Sequence, residues 1–116
     1  MLNKSFALTA FVSDRDHIIA VSGAGRREIA DRAVSQPLER LMENRRPYLS
    51  EGVPEQAVLP CEGADRAILC AWPIVAAGDV TGAVGLLTDD RTEKPDAAHQ
   101  KAVSVAAAFL AKQMEE

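Results

Sequence analysis

Aromatic residues, histidines and cysteines are all scarce in this chain. Phe, Trp and Tyr make up 4% of the 116 residues, so the core must be built mainly from Ala, Val, Ile and Leu. The two histidines, His17 and His99, and the two cysteines, Cys61 and Cys70, form no recognised ligand spacing. We therefore expect two surface histidines, no metal and no cofactor. Two cysteines also fit the cytoplasm, where thiols stay reduced.

Long apolar runs and concentrated positive charge are absent as well. No apolar run approaches the ~20 residues that span a bilayer, and the first residues lack the apolar stretch of a signal peptide. The formal net charge is -4, and the basic residues are scattered in pairs such as Arg26-Arg27. Because direct binding of nucleic acid needs a concentrated basic footprint, we expect a cytoplasmic chain that binds neither membrane nor, by itself, DNA.

The composition that remains is that of one folded domain. Apolar residues make up 47% of the chain and charged residues 26%, close to the average of globular proteins. The length suffices for one core and is too short for two. We expect residues 1–116 to form a single domain.

Two pairs of apolar runs predict β-hairpins. Residues 6–13 and 17–21 flank a turn at residues 14–16. Residues 67–76 and 80–88 flank a two-residue turn at Gly78-Asp79, where glycine supplies the positive φ of a tight turn. Pro73 lacks a backbone donor, which predicts a bulge or an outward-facing edge at that point.

Helical patterns occupy most of the rest. We predict a short helix at residues 26–33, and a second helix that Ser35 caps, that accepts Pro37 in its first turn and that ends before Pro47. Tyr48 and Leu49 form a short strand or a connection. Residues 50–66 are expected to be a mobile loop with one short strand at residues 57–59.

The last helix is predicted from a Thr92 cap near Glu93, through Pro95 in its first turn, to about Met114. Its apolar residues cover a wider arc than one packed face needs, so the helix requires two burial partners. One is the sheet, and the other is predicted to be a helix of another subunit. The residues predicted for this contact are Ala102, Val105, Ala106, Phe109 and Leu110.

Successive hairpins with intervening helices indicate an α+β domain, an antiparallel β-sheet flanked by helices. Three blocks of sequence, at residues 12–23, 73–84 and 107–115, resemble the C-terminal GAF domain of the stage V sporulation protein T family. That resemblance implies a GAF-like fold and a dimer or higher oligomer. It also implies a separate N-terminal domain that binds DNA and regulates transcription during spore development, so the chain is expected to be the C-terminal part of a longer regulator and not an enzyme.

Five residues are candidate contacts for an unknown small effector. Glycines and cations at residues 22–27 suggest an anion site with Arg26 and Arg45, although an ordinary strand-to-helix turn explains the same pattern. Tyr48 and the loop at residues 50–66 would form a lid. Trp72 would floor the pocket on the sheet face opposite the last helix, or would simply fill the core.

The cysteines keep other functions open. Some GAF proteins are thiol enzymes that reduce free methionine sulfoxide, which requires a thiol of lowered pKa and a second thiol to resolve the intermediate. Cys70, inside an apolar strand, is interpreted as a small buried hydrophobe. Cys61 is interpreted as a solvent-facing loop thiol, the fifth candidate contact and a candidate redox sensor. A purely structural dimerisation domain is the remaining alternative.

Overall fold

Five strands form one antiparallel sheet in a computed structural model that describes residues 9–23 and 29–114. The strands are Thr9–Asp14 (β1), Ile18–Ser22 (β2), Tyr48–Leu49 (β3), Ala67–Ala76 (β4) and Asp79–Thr88 (β5), and the helices are Gln36–Asn44 (α1) and Ala97–Met114 (α2). The strand order in the sheet is β2-β1-β5-β4-β3, and a 3-10 turn spans Pro54–Gln56. This architecture confirms the α+β prediction and is consistent with a GAF-like fold.

The first hairpin closes as its turn residues predict. The Asp14 carboxylate accepts hydrogen bonds from the backbone N–H groups of Asp16 and His17, both at 2.7 Å. A short polar side chain that bonds its own backbone in this way stabilises a turn. The predicted start of the first strand, residues 6–8, lies outside the described residues.

The second hairpin is confirmed, but its turn lies one residue earlier than predicted. Ala76 pairs with Asp79, so the two loop residues are Ala77 and Gly78, with φ of 52° and 85°. Positive φ at both positions is the geometry of the hairpin turn that matches the twist of the strands. Strand β4 pairs with β3 through Cys70 and Ala71, so Pro73 lies beyond the part of β4 that β3 covers. The register of β4 with β5 shifts nearby, between Ile74 and Val75, as at a bulge.

Helix α1 begins at the predicted cap. The Ser35 hydroxyl accepts a hydrogen bond from the backbone N–H of Leu38 at 3.2 Å and donates one to the carbonyl of Leu59 at 2.6 Å. The helix ends at Asn44, and its C-terminal cap Arg45, two residues before Pro47, has a left-handed φ of 59°. Ser35 therefore both starts α1 and ties it to the long loop.

Two predicted elements differ from the structure. The helix at residues 26–33 lies partly outside the described residues. Ile29 is helical, but the helix does not extend to Ala33, because Asp31 has a φ of 67° and Ala33 forms a β-bridge with His17. The strand predicted at residues 57–59 is wrong. Val58 accepts one backbone hydrogen bond, from Ile68 at 2.7 Å, and no ladder continues from it.

Helix α2 begins at Ala97 and not near Glu93. Thr92 does not cap it, because its hydroxyl and its N–H both bind the Asp90 carboxylate, at 2.6 and 3.0 Å. The cap is Asp96, whose carboxylate accepts from the N–H of His99 at 2.7 Å. No helix in the described ranges has both the length and the apolarity that a membrane span requires.

Each sheet face carries its own apolar cluster, because neighbouring residues of a strand point to opposite faces. One cluster lies under α1 and the long loop, and the other lies under α2. The first includes Phe11, Ile18, Leu38, Met42, Cys61, Ile68, Ala71 and Leu87, and the second Cys70, Ile74, Val84, Val103 and Ala107.

Candidate functional site

Helix α2 packs on the sheet with one side and leaves an apolar stripe uncovered on the other. Val103 and Ala107 are 4% and 5% exposed, whereas Val105 and Phe109 are 54% and 61% exposed. Ala98 and Ala102 are also exposed. These four residues follow one another at steps of four, three and four, the spacing of a helix-pairing seam. We call Ala98, Ala102, Val105 and Phe109 the α2 seam.

The residues predicted for a subunit contact divide between two environments. Ala102, Val105 and Phe109 belong to the α2 seam and are exposed. Ala106 and Leu110 are half-buried and pack against the cluster beneath the helix. Contact of either group with a second subunit stays a prediction.

A cleft of about 380 Å³ lies at the N-terminal end of α1. Its walls are the segment from Arg32 to Gln36 and the loop at Cys61 and Glu62, and Arg32 Nη1 lies 3.4 Å from the Glu62 carbonyl oxygen. The helix end offers few free donors to an anion, because Ser35 occupies the N–H of Leu38 and Pro37 has none.

A second cleft, of about 280 Å³, lies at the β3 edge of the sheet. Tyr48, Ser50, Glu51 and Gln56 contribute polar groups to it, and Leu49 and Val53 contribute apolar ones. Burial raises the pKa of Tyr48, and a hydrogen bond with Ser50 acts in the opposite direction. We call this the β3-edge cleft.

The predicted effector contacts do not meet at one site. Cys61 lines the first cleft and Tyr48 the β3-edge cleft. Arg45 ends α1, on the order of 13 Å along the helix from the first cleft at ~1.5 Å per residue. Arg26 lies outside the described residues, and the glycine-rich segment around it is only partly described.

Trp72 lies on the other face of the sheet from the one predicted. It is half-buried against the cluster that contains Val103, beneath α2, because it shares the strand face of Cys70 and Ile74. Trp72 also borders a narrow crevice between α1 and the sheet, on the face opposite α2, so its role as the floor of a pocket there stays a prediction. A direct contact with an effector is untested and stays a prediction.

Both cysteines are buried. Cys70 is 0% exposed, and burial raises the pKa of its thiol from 9.0 to about 11, with the Asp96 charge acting in the same direction. Cys61 is 1% exposed, so the expectation of a solvent-facing thiol is wrong. Its neighbour Pro60 accepts a hydrogen bond from the Ser35 N–H, which draws the loop onto the core.

The two thiols do not form a reactive pair. Burial also raises the pKa of Cys61, against a smaller opposing effect of Arg32, whereas a nucleophilic thiol needs a lowered pKa. Cys61 and Cys70 moreover belong to clusters on opposite faces of the sheet. Among residues 9–23 and 29–114, no group of three or more His, Cys, Asp or Glu side chains is placed to hold a metal ion.

Sequence reasoning missed Arg32 and Glu62 as cleft residues. It also missed the contact of Gly52 with the carbonyl of Thr92. Both pairings join segments about 30 to 40 residues apart, and no local spacing marks them.

Comparison with known proteins identifies a family over nearly the whole chain. Residues 1–115 match the family described as Stage V sporulation protein T C-terminal, transcription factor. Stage V sporulation protein T of Bacillus subtilis (strain 168) is 35% identical over 115 residues, which cover 99% of this chain and 64% of that relative. The family is one of transcription-factor domains, so the chain is a regulatory domain and not an enzyme. This chain belongs to the family of stage V sporulation protein T C-terminal domains.

Proposed function

We propose that this chain is the regulatory and assembly domain of a sporulation transcription factor that acts in the cytoplasm. In this proposal α2 joins two copies of the chain as a homodimer, or as part of a higher oligomer. The state of assembly, or a bound small effector, is relayed to a separate N-terminal domain that binds DNA. The matched family and the name of its Bacillus subtilis relative support the sporulation role.

The exposed α2 seam is the observation that carries the proposal. Phe109 is 61% exposed and Val105 is 54% exposed, one helical turn apart. Isolated exposed apolar residues are ordinary, but a row at heptad spacing on a helix is the pattern of a helix that packs against another. A second copy carries the same seam, so a two-fold contact covers both at once.

Sedimentation equilibrium of Phe109→Ala beside the unchanged chain tests the assembly role. A Phe side chain has an area of about 200 Å², so the exposed 61% corresponds to roughly 120 Å² per copy and about 3 kcal/mol at ~25 cal/mol per Å². Since two copies lose this contact, we expect dimerisation to weaken by at least about 100-fold, where ~1.4 kcal/mol corresponds to tenfold.

Ser104→Ala serves as the matched control on the same helix. Ser104 lies away from the α2 seam, and its hydroxyl donates within the helix to the Lys101 carbonyl at 2.9 Å. We expect this variant to associate like the unchanged chain. Equal association of the Phe109→Ala variant and the unchanged chain would place the subunit contact elsewhere.

Effector binding is the less developed half of the proposal. The cleft beside Arg32 and Glu62 has a volume of about 380 Å³, within the ~300–1,000 Å³ of small-molecule sites. The crevice between α1 and the sheet is different. Leu38, Met42 and Trp72 are among the residues that line it, and its interior, about 0 Å³, has no room for a water molecule.

That filled crevice favours a second candidate, a purely structural dimerisation domain. Native mass spectrometry of the protein taken directly from cells separates the two. A sensor retains or exchanges a small molecule and shows an added mass that denaturation removes. A purely structural domain shows the mass of the polypeptide alone under both conditions.

A further inference from the structure

The loop that bounds the β3-edge cleft touches the segment that leads into α2. Gly52 lies between Glu51 and Val53, two lining residues of the cleft, and has a φ of +75°. A Cβ atom placed on Gly52 would lie 2.6 Å from the carbonyl oxygen of Thr92, closer than side chains tolerate. The two backbones therefore meet directly, at a distance that glycine alone permits.

The loop side of this contact is held by the sheet. The N–H of Ser50 donates to the carbonyl of Leu69 in β4 at 2.9 Å. The N–H of Gly52 in turn donates to the Ser50 hydroxyl at 3.2 Å. Gly52 is thus fixed to β4 through one intervening residue.

The other side of the contact is held by the end of β5. The Thr88 hydroxyl donates to the Glu93 carboxylate at 2.6 Å and accepts from the N–H of Asp90 at 3.0 Å. The Asp90 carboxylate holds Thr92, as described above. Four residues after Thr92, Asp96 caps α2. Hydrogen bonds among its own residues therefore hold the segment from Thr88 to Asp96, which connects β5 to α2 and which we call the lead-in.

We propose that the contact between Gly52 and Thr92 couples the β3-edge cleft to the first turn of α2, so that a displacement of the loop at residues 50–53 displaces the start of the helix. The coupling depends on main-chain contact and on the Thr88 and Asp90 hydrogen bonds. The coupling requires no self-association, but its regulatory consequence rests on the proposed function. Through it, a change at the cleft reaches the helix that carries the α2 seam.

Amide hydrogen exchange of Gly52→Ala, measured by NMR, tests the coupling from the loop side. Gly78→Ala is the matched control, because Gly78 also has a positive φ, +85°, yet a Cβ there meets nothing within 4 Å. We expect Gly52→Ala to lower the protection of the Glu93, His99 and Gln100 amides by about tenfold or more, and Gly78→Ala to leave it within about threefold. Loss of protection confined to residues 47–56 in the Gly52→Ala variant overturns the proposal.

Thr88→Ala tests the coupling from the helix side and does not disturb the loop directly. Coupling between two sites is reciprocal, so loss of the Thr88 hydrogen bonds must raise the exchange rate of the Gly52 amide by at least about threefold. Thr81→Ala is the control on the same strand. The Thr81 hydroxyl donates to the Ile74 carbonyl of β4 and to the Met114 sulfur, at the end of α2 that is remote from its first turn. An unchanged exchange rate of the Gly52 amide in the Thr88→Ala variant overturns the coupling, even where Gly52→Ala fails to fold.

These exchange measurements also separate the coupling from the proposed function. They are made on the dilute chain, and their readout lies at Gly52 and at residues 92–100. A chain that never self-associates still shows the coupling if the contact acts as proposed. Conversely, the chain could form a stable dimer in which the amides of Gly52 and of the start of α2 exchange independently. That result overturns the coupling and leaves the assembly proposal intact.

Discussion

Two valines on α2, two residues apart, distinguish the packing of this helix on the sheet from its proposed role in assembly. Val103 is 4% exposed and packs in the cluster with Cys70, Ile74 and Val84, whereas Val105 is 54% exposed. Val103→Ala removes two buried carbon atoms, worth about 1.6 kcal/mol in transfer from water at ~0.8 kcal/mol each. The cavity left behind raises the expected loss in free energy of unfolding to about 2–3 kcal/mol.

Val105→Ala removes the same two carbon atoms from a site that solvent already reaches in the single chain. Alanine has the better helix propensity by a few tenths of a kcal/mol, so the free energy of unfolding of the monomer should change by less than about 0.5 kcal/mol. Dimerisation, by contrast, should weaken. The same truncation thus affects folding at one position and association at the other.

Urea unfolding followed by the fluorescence of Trp72 measures both variants. Trp72 is the single tryptophan of the chain and packs against the Val103 cluster, so its emission reports the loss of α2 from the sheet. The protein must be dilute enough to be monomeric, because dimerisation adds to apparent stability. A Val105→Ala variant as unstable as Val103→Ala, or a Val103→Ala loss below about 0.5 kcal/mol, would refute the assigned orientation of α2.

Three further predictions concern the cap, the turn and the buried thiol. Ser35→Ala should lower the free energy of unfolding by about 1–2 kcal/mol in urea titrations, because it removes the cap of α1 and leaves the Leu59 carbonyl without its donor. Ser104→Ala, which removes a hydrogen bond within α2 only, should stay near the unchanged chain. Ala77→Gly should raise the free energy of unfolding by about 0.5–1 kcal/mol, because Ala77 has a φ of 52°, which glycine adopts without strain. An unchanged urea midpoint would contradict the assigned turn. The pKa of Cys70 is raised from 9.0 to about 11 in the folded state, so its contribution to stability is complete below pH 9 and is lost as the pH rises through 11. Urea midpoints measured between those pH values should fall for the unchanged chain, and Cys70→Ala should reduce that fall.

The elements that the sequence predicted correctly depend on local chemistry. The hairpin around Asp14 and the cap at Ser35 need only bonds between residues two or three positions apart. The second hairpin was displaced by one residue because Ala77, and not Gly78 alone, adopts a positive φ. Since the first apolar run ends with Ala76 and Ala77 and the second begins at Val80, composition could not decide between the two placements.

The incorrect predictions concern which elements pack against a strand or a loop. Alternation shows that Cys70 and Trp72 share a sheet face, but not that α2 covers that face. Cys61 is buried because the loop is held at Pro60 by Ser35, a contact across 25 residues. The wide apolar arc of α2 was recognised, yet only the packing on β4 and β5 shows that Val103 belongs to the core and Val105 to the uncovered side.

The central claim is that a second copy of the chain covers the α2 seam. The most direct test is an isotope-filtered NMR experiment on a mixture of labelled and unlabelled chains, which detects contacts between copies and no others. We predict contacts from the Phe109 ring of one copy to the methyl groups of Ala102 and Val105 of its partner. Contacts between copies that involve another surface, or none at concentrations of the order of a millimolar, near the ~4 kcal/mol limit of weak association, would contradict the account.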